Sequence, residues 1–267
     1  MSQNNLHSTQ VIDAALRFDP IVSDFETALS TLEQVLRHIE ETKPDAKLRV
    51  VILNNTIVAL TSTIEEALRG LFQEYLSILQ ESFGIHGELR QTLQLANLEC
   101  AIQALKNHKK KSELKGAATV VSNLDKCLNG LQGYQLFKDQ LVYNQGNFKS
   151  QQVTEIAKKV GLPDLWQQVC ISQDVEDYTG EPTVETRVTR LITSWNEIFD
   201  ERDIVVHRIS QASGWAPDRI QQAIYLCKLV VKRIAACLSE DLTKLITSGQ
   251  VKVRIGKDQG EGQRIER

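Results

Sequence analysis

The run Asp200-Glu201-Arg202-Asp203-Ile204-Val205-Val206-His207 puts an arginine, a carboxylate and a histidine close together, with four residues between Arg202 and His207. A guanidinium can hold a phosphate with a planar fork of donors. An imidazole moves a proton near neutral pH. Together these two groups are sufficient equipment for cutting RNA without a metal. The spacing is common among sequences, so the surrounding elements decide its meaning. On a continuous helix, five residues separate two side chains by about 140°. Arg202 and His207 therefore converge only if the backbone bends or a helix begins near Arg202, and Asp200, a good N-cap residue, is expected to supply that beginning. Asp203 could orient Arg202 or His207, could instead repel a phosphate, or could only stabilise the helix N-terminus.

Other chemistry-bearing groups are fewer. Glu65 and Glu66 lie on a predicted helix, with Glu65 expected to face inward and to anchor Arg202; a solvated helix face is the alternative. The basic run Lys106-Asn107-His108-Lys109-Lys110-Lys111, with Lys115 following, places Lys109, Lys110 and Lys111 in a loop that could track RNA phosphates without reading sequence. A solvated linker explains the same run, and no aromatic series interleaves with it. His7, His38, His86 and His108 have no ligand spacing, and the five cysteines, Cys100, Cys127, Cys170, Cys227 and Cys237, form no C-x-x-C pair. They read as reduced thiols in helix cores. No phosphate-cradling glycine loop or nucleophile elbow occurs. The expectation is a site without metal and without cofactor.

Composition sets the frame. The 267 residues are 42% hydrophobic and 24% charged, the balance of an ordinary soluble domain long enough to bury a core. Only 14 Gly, 5 Pro and 6% aromatic residues favour long helices over many short strands. A net charge of -3 argues against a constitutive, sequence-blind nucleic-acid binder, so any RNA contact must use a local basic patch. The N-terminus lacks the apolar core of a signal peptide and no apolar run approaches a membrane span, so a cytoplasmic protein without membrane contact is expected.

The elements that must position Arg202 and His207 are helical. After a loose leader at 1–20, Val22, Phe25, Leu29, Leu32, Leu36 and Ile39 mark one buried helix face, stopped by Thr42-Lys43-Pro44. Ile57, Leu60, Ile64, Leu68, Leu71, Tyr75 and Ile78 mark a long second helix ending near Gly84, its start carried back through Arg49–Leu53. The two read as an antiparallel hairpin. Helical patterns follow at 88–106 and 113–129, the latter with Leu114, Ala117, Val121, Leu124 and Leu128 on its inner face. Asn144-Gln145-Gly146-Asn147 reads as a turn, Ser150 as an N-cap, Gly161 as a stop, and 173–182 as a loop. Thr183 caps a helix with Val184, Val188, Leu191, Trp195 and Ile198 inside. Pro217 opens the last helix, with Ile220, Ile224, Cys227, Val231, Ile234 and Leu238 in strict register. The predicted fold is an all-α bundle: a single domain at 21–248 with a four-helix core from the first and last pairs, a helical insertion at about 85–180, and a flexible tail at 249–267 in which Val251–Ile255 could form a short edge strand.

The segment Trp195–His207 followed by a long terminal helix resembles the HEPN superfamily of all-helical proteins, specifically its RiboL-PSP-HEPN-like branch. That superfamily's hallmark is an Arg, four to six residues, then a His, with a polar residue after the Arg; Asp203 fits. Leu60–Leu68, with a glutamate in the second helix, and Asn147–Trp166, similar to the family's insertion, extend the likeness over most of 20–245. The resemblance implies a metal-independent endoribonuclease acting as a homodimer, with both Arg/His sets facing a shared cleft, in a toxin or antiviral defence system with a possible antitoxin or defence partner. His207 would then be the general acid or base, Arg202 would hold the scissile phosphate, and Asp203 and Glu65 would support them. Ile209 stands where some relatives carry a tyrosine modified by an antitoxin. Two other readings remain open: a non-catalytic dimeric HEPN-like module that binds RNA or protein, and a helical scaffold in which Arg202 and His207 only pack or pair.

Overall fold

A computed structural model describes residues 16–107, 114–142, 147–207 and 214–247. The expected turn at 144–146, the basic triplet Lys109–Lys111 and the tail strand at 251–255 lie outside the described residues.

The chain is all-α. Helix α1 (Asp19–Thr42) starts on Pro20 in its first turn and buries Phe25, Leu29, Leu36 and Ile39. Phe18, just before it, is already in the core, and Arg17 pairs with Glu74 and Glu81 on the next helix. Lys43 ends α1 in the left-handed region, at φ 45°, and its N–H bonds Ile39 O at 3.1 Å. Pro44 cannot continue the helix. Asp45 then caps α2 (Ala46–Ser82), accepting from the backbone N–H groups of Lys47 at 3.0 Å and Leu48 at 3.1 Å. So short a connection makes α1 and α2 an antiparallel pair.

A 3-10 turn at His86–Glu88 leads into α3 (Gln91–Asn107), α4 (Leu114–Leu128), α5 (Lys138–Val142), α6 (Ser150–Val160), α7 (Leu165–Cys170) and α8 (Gln173–Thr179). Helices α9 (Val184–His207) and α10 (Pro217–Thr247) complete the chain. Helices α1, α2, α9 and α10 form the four-helix core, with α2 against the other three. The predicted stripes of α2 and α10 are buried throughout. The insertion lies between the two core pairs: α5 packs on α2, and α7 closes back on α9 and α10.

Four local expectations need correction. In α4 the inward residues are Val120, Asn123 and Cys127, whereas Val121 is 55% exposed and Leu128 69%. The helix is turned because the Asn123 side chain clasps the backbone N–H and carbonyl of Gln135 at 2.7 and 2.8 Å, which places a polar residue inside the apolar stripe. The expected loop at 173–182 contains the two-turn helix α8, with Val175 buried. It is held by the buried Arg187, which pairs with Glu176 and donates to Glu181 O at 2.8 Å. Ser150 is the first residue of α6 rather than its cap, and the Asn196 side chain does the capping by accepting Ser150 N–H at 2.9 Å. Finally, α9 runs without a break through Asp200, so Arg202 sits in the last turns of a helix and not at the start of one.

One polar network fastens the insertion to the core. Tyr75 on α2 donates to Asp241 Oδ2 on α10 at 2.6 Å, and Arg90, just before α3, reaches Asp241 Oδ1 at 2.6 Å and Gly161 O at 3.3 Å. Gly161 stands at φ +88°, where a Cβ would run into Arg90. Burial, then the Asp241 charge, push the Tyr75 phenol well above its ordinary range, so it remains a donor. Tyr75→Phe leaves a buried carboxylate oxygen without its donor and is expected to lower unfolding free energy by about 1–3 kcal/mol in urea denaturation. A change within about 0.5 kcal/mol, the range of a neutral surface substitution, would show that the network does not fasten the insertion.

Candidate functional site

On α9 the buried residues Leu191, Trp195, Ile198 and Val205 recur at helical spacing, and Arg202 occupies the next place in that stripe after Ile198. A cation thus stands where periodicity calls for an apolar side chain. The side chain is partly covered and its head meets Asp203. Arg202 Nη1 donates to Asp203 Oδ1 at 3.1 Å, and both side chains are about one-third exposed, at 31% and 33%.

Across from it on α2 stands Glu65, half-buried, while Glu66 is exposed. Burial pushes the Glu65 carboxyl up, against the opposing pull of Arg202 and Arg69 and of the Phe148 backbone N–H that it accepts. The expected Glu65–Arg202 salt bridge takes a looser form: the Arg202 hydrogen bond goes to Asp203, and its charge acts on Glu65 through space.

A short strap, Asn147-Phe148-Lys149-Ser150, crosses this place. Asn147 Nδ2 donates to Asp203 Oδ1 at 2.7 Å. Lys149 Nζ bonds Asp200 Oδ1 at 2.6 Å and lies 3.2 Å from Asp203 Oδ2. Phe148 is buried, its carbonyl accepting from the indole N–H of the buried Trp195 at 2.8 Å, its ring 5.9 Å from the Arg69 guanidinium. Burial pushes Asp203 up, but hydrogen bonds from Asn147, Arg202 and Lys149 outweigh it and leave the carboxyl below its ordinary value. The Asp200 hydrogen bond is the largest influence raising the Lys149 ammonium.

His207 is the last residue of α9 and is exposed. On the unbroken helix it lies about 140° around from Arg202. It shares a face with Asp203, four residues earlier. The structure therefore brings Glu65, Arg202 and Asp203 together and leaves His207 on a different flank. Asp203 is not at a helix N-terminus and does no capping there; it binds Arg202 and the strap. The next helix is fastened to α9 nearby: Arg219 stacks on Trp215 at 4.1 Å and pairs with Glu197 at 3.4 Å. Sequence reading missed Asn147, Lys149 and Arg69. The first reads as part of a turn, and the other two stand out in no local pattern.

Among the described residues no three His, Cys, Asp or Glu side chains gather as metal ligands. No described helix is long and apolar enough to cross a membrane. The sequence signature of the RiboL-PSP-HEPN family matches residues 23–240, which include α2, α9, the insertion, the Arg202–His207 motif and most of α1 and α10. The chain belongs to the RiboL-PSP-HEPN family. No curated protein and no solved structure matches it. The RiboL-PSP-HEPN assignment agrees with the all-helical architecture and defines the chain as a HEPN-type domain.

Glu65 offers a test of the site's electrostatics. Because its folded-state carboxyl is raised, ionisation at neutral pH opposes folding, and this cost vanishes as the pH falls below the ordinary carboxyl range. Glu65→Gln, which keeps an acceptor for Phe148, is expected to melt higher than the wild type at pH 7, with the difference shrinking towards pH 4. An equal or lower melting temperature at pH 7 would mean that Arg202 and Arg69 outweigh burial.

Proposed function

We propose that this protein is a metal-independent endoribonuclease of HEPN type. The observation that carries the reading is Arg202 on the inward stripe of α9, held beside Glu65 and Asp203 with its head partly open to solvent. A guanidinium so held can neutralise charge on the phosphorus oxygens of a bound RNA strand. The 2′-hydroxyl of the ribose attacks the adjacent phosphorus as His207 takes its proton, the bond from phosphorus to the 5′-oxygen breaks, and the departing oxygen takes a proton from the imidazolium or from water. The products carry a 2′,3′-cyclic phosphate and a 5′-hydroxyl.

The unbroken α9 adds a condition. Arg202 and His207 of one chain point about 140° apart, so a single phosphate is served by Arg202 of one copy and His207 of another. Exposed Ile204 and Val206, on the turns between them, supply apolar surface where a second copy can close on the motif. Lys109, Lys110 and Lys111 are proposed to guide RNA to this cleft. A role in a cytoplasmic toxin or antiviral defence system, restrained by an antitoxin or another defence protein, is the setting in which such an activity is useful. The same separation of Arg202 from His207 favours, as the second reading, a non-catalytic dimeric module that binds RNA or a protein partner.

RNA cleavage by the purified protein in EDTA tests the reading. Arg202→Ala and His207→Ala are each expected to lose roughly a hundredfold or more, and mixing the two variants is expected to restore part of the activity, since a mixed pair contains one site with both side chains. Cleavage unchanged by either substitution, or no cleavage of varied RNAs by the wild type, would transfer the argument to the binding module.

A further inference from the structure

Among the described residues the charges around Arg202 are balanced. Arg69, Lys149 and Arg202 face Glu65, Asp200 and Asp203. A phosphate arriving at Arg202 must compete with Asp203, its immediate neighbour in the chain. A free carboxylate beside a guanidinium tends to form a two-pronged pair that uses up the fork. Here it does not. Asn147 Nδ2 occupies Asp203 Oδ1 at 2.7 Å, and the ammonium of Lys149 stands 3.2 Å from Oδ2 while bonded to Asp200. Among the described residues, Arg202 reaches Asp203 through Nη1 alone.

The strap that carries these two donors has little freedom. The Phe148 carbonyl is held by Trp195 and its N–H by Glu65. On the other side of Lys149, Ser150 is clasped twice by Asn196, N–H to Oδ1 at 2.9 Å and Oγ from Nδ2 at 3.0 Å. Lys149 lies between two fixed points of backbone, so its reach to Asp200 and Asp203 is set before any ligand binds.

We propose that Asn147 and Lys149 are positioning residues for RNA binding: by occupying Asp203 they keep the guanidinium fork of Arg202 open to a backbone phosphate, which makes the end of the insertion a working part of the site. This rests on the reading that Arg202 binds RNA. Without Lys149, Asp203 turns its full charge on Arg202 and the fork closes.

The test is a double-variant cycle on binding of a short single-stranded RNA in the non-cleaving His207→Ala background, with KM and kcat followed in the parent protein. Lys149→Met is expected to weaken binding and raise KM about tenfold with kcat within about twofold, and Lys149→Arg to recover most of the loss. In an Arg202→Ala background, Lys149→Met is expected to cost nothing further, because the lysine acts through the arginine. An equal loss in both backgrounds would make Lys149 a direct phosphate contact and overturn the proposal, as would no loss in the parent. Asn147→Ala changes no charge and should show the same dependence on Arg202; it decides the matter if the lysine variants melt early. If Arg202→Ala itself binds and cleaves as the parent does, the functional reading fails first and this inference with it. If Arg202→Ala is impaired and Lys149→Met is not, only the inference fails.

Discussion

The burial of helix α2 is the constraint on which the rest depends. Ile57, Leu60, Ile64, Leu68 and Leu71 form one apolar face, and from Ala67 onward Phe72, Tyr75, Leu76 and Leu79 are buried as well. A helix covered on so much of its circumference cannot rotate or slide without exposing large side chains, each worth roughly 1.5–3 kcal/mol of burial. Its polar residues are therefore fixed in height and direction. Two of them matter. Glu65 stands at the level of the motif on α9, and Tyr75 stands about three turns further on, at the level where the insertion meets α10. Each lies close to an arginine from outside α2, Arg202 in one case and Arg90 in the other.

The two arrangements differ in how tightly they close. At Tyr75, a phenol, a carboxylate and a guanidinium satisfy one another directly, and a backbone carbonyl takes a further donor. Tyr75 and Asp241 are buried and spend their polar atoms on one another and on Arg90, as suits a fastening. At Glu65 the partners are shared among more groups, the arginine keeps one hydrogen bond to Asp203, and the ensemble stays partly open to solvent. The same residue types thus serve adhesion at one level of α2 and, in the proposed function, offer a guanidinium to an incoming anion at the other; the two sets differ in how many donors each carboxylate serves.

Much of this was legible in the sequence, for a physical reason. Helices α1, α2 and α10 are long, and each repeats its apolar residues every three or four positions over many turns, so their buried faces follow from periodicity alone. The lysine–proline stop after α1 and the glycine stop after α6 follow from backbone restrictions. The failures occur where one distant partner overrides a short pattern. Val121 and Leu128 fit an apolar stripe better than Asn123 does, yet Asn123 faces in because its amide matches the backbone of Gln135. Asp200 looked like a cap because aspartate favours caps, but its carboxylate serves Lys149 instead and α9 continues past it. Asn147 and Lys149 carry no local signal, since what they hold lies more than fifty residues away.

The order of helices along the chain has a cost in time. Helix α2 is complete at Ser82, but two of the three core helices that cover it, α9 and α10, end at His207 and Thr247. During synthesis at about 5–20 residues per second, the apolar faces of α2 wait on the order of ten seconds for their last covering to leave the ribosome. In the folded chain α5 of the insertion packs on α2, and it precedes α9 and α10 in the order of synthesis.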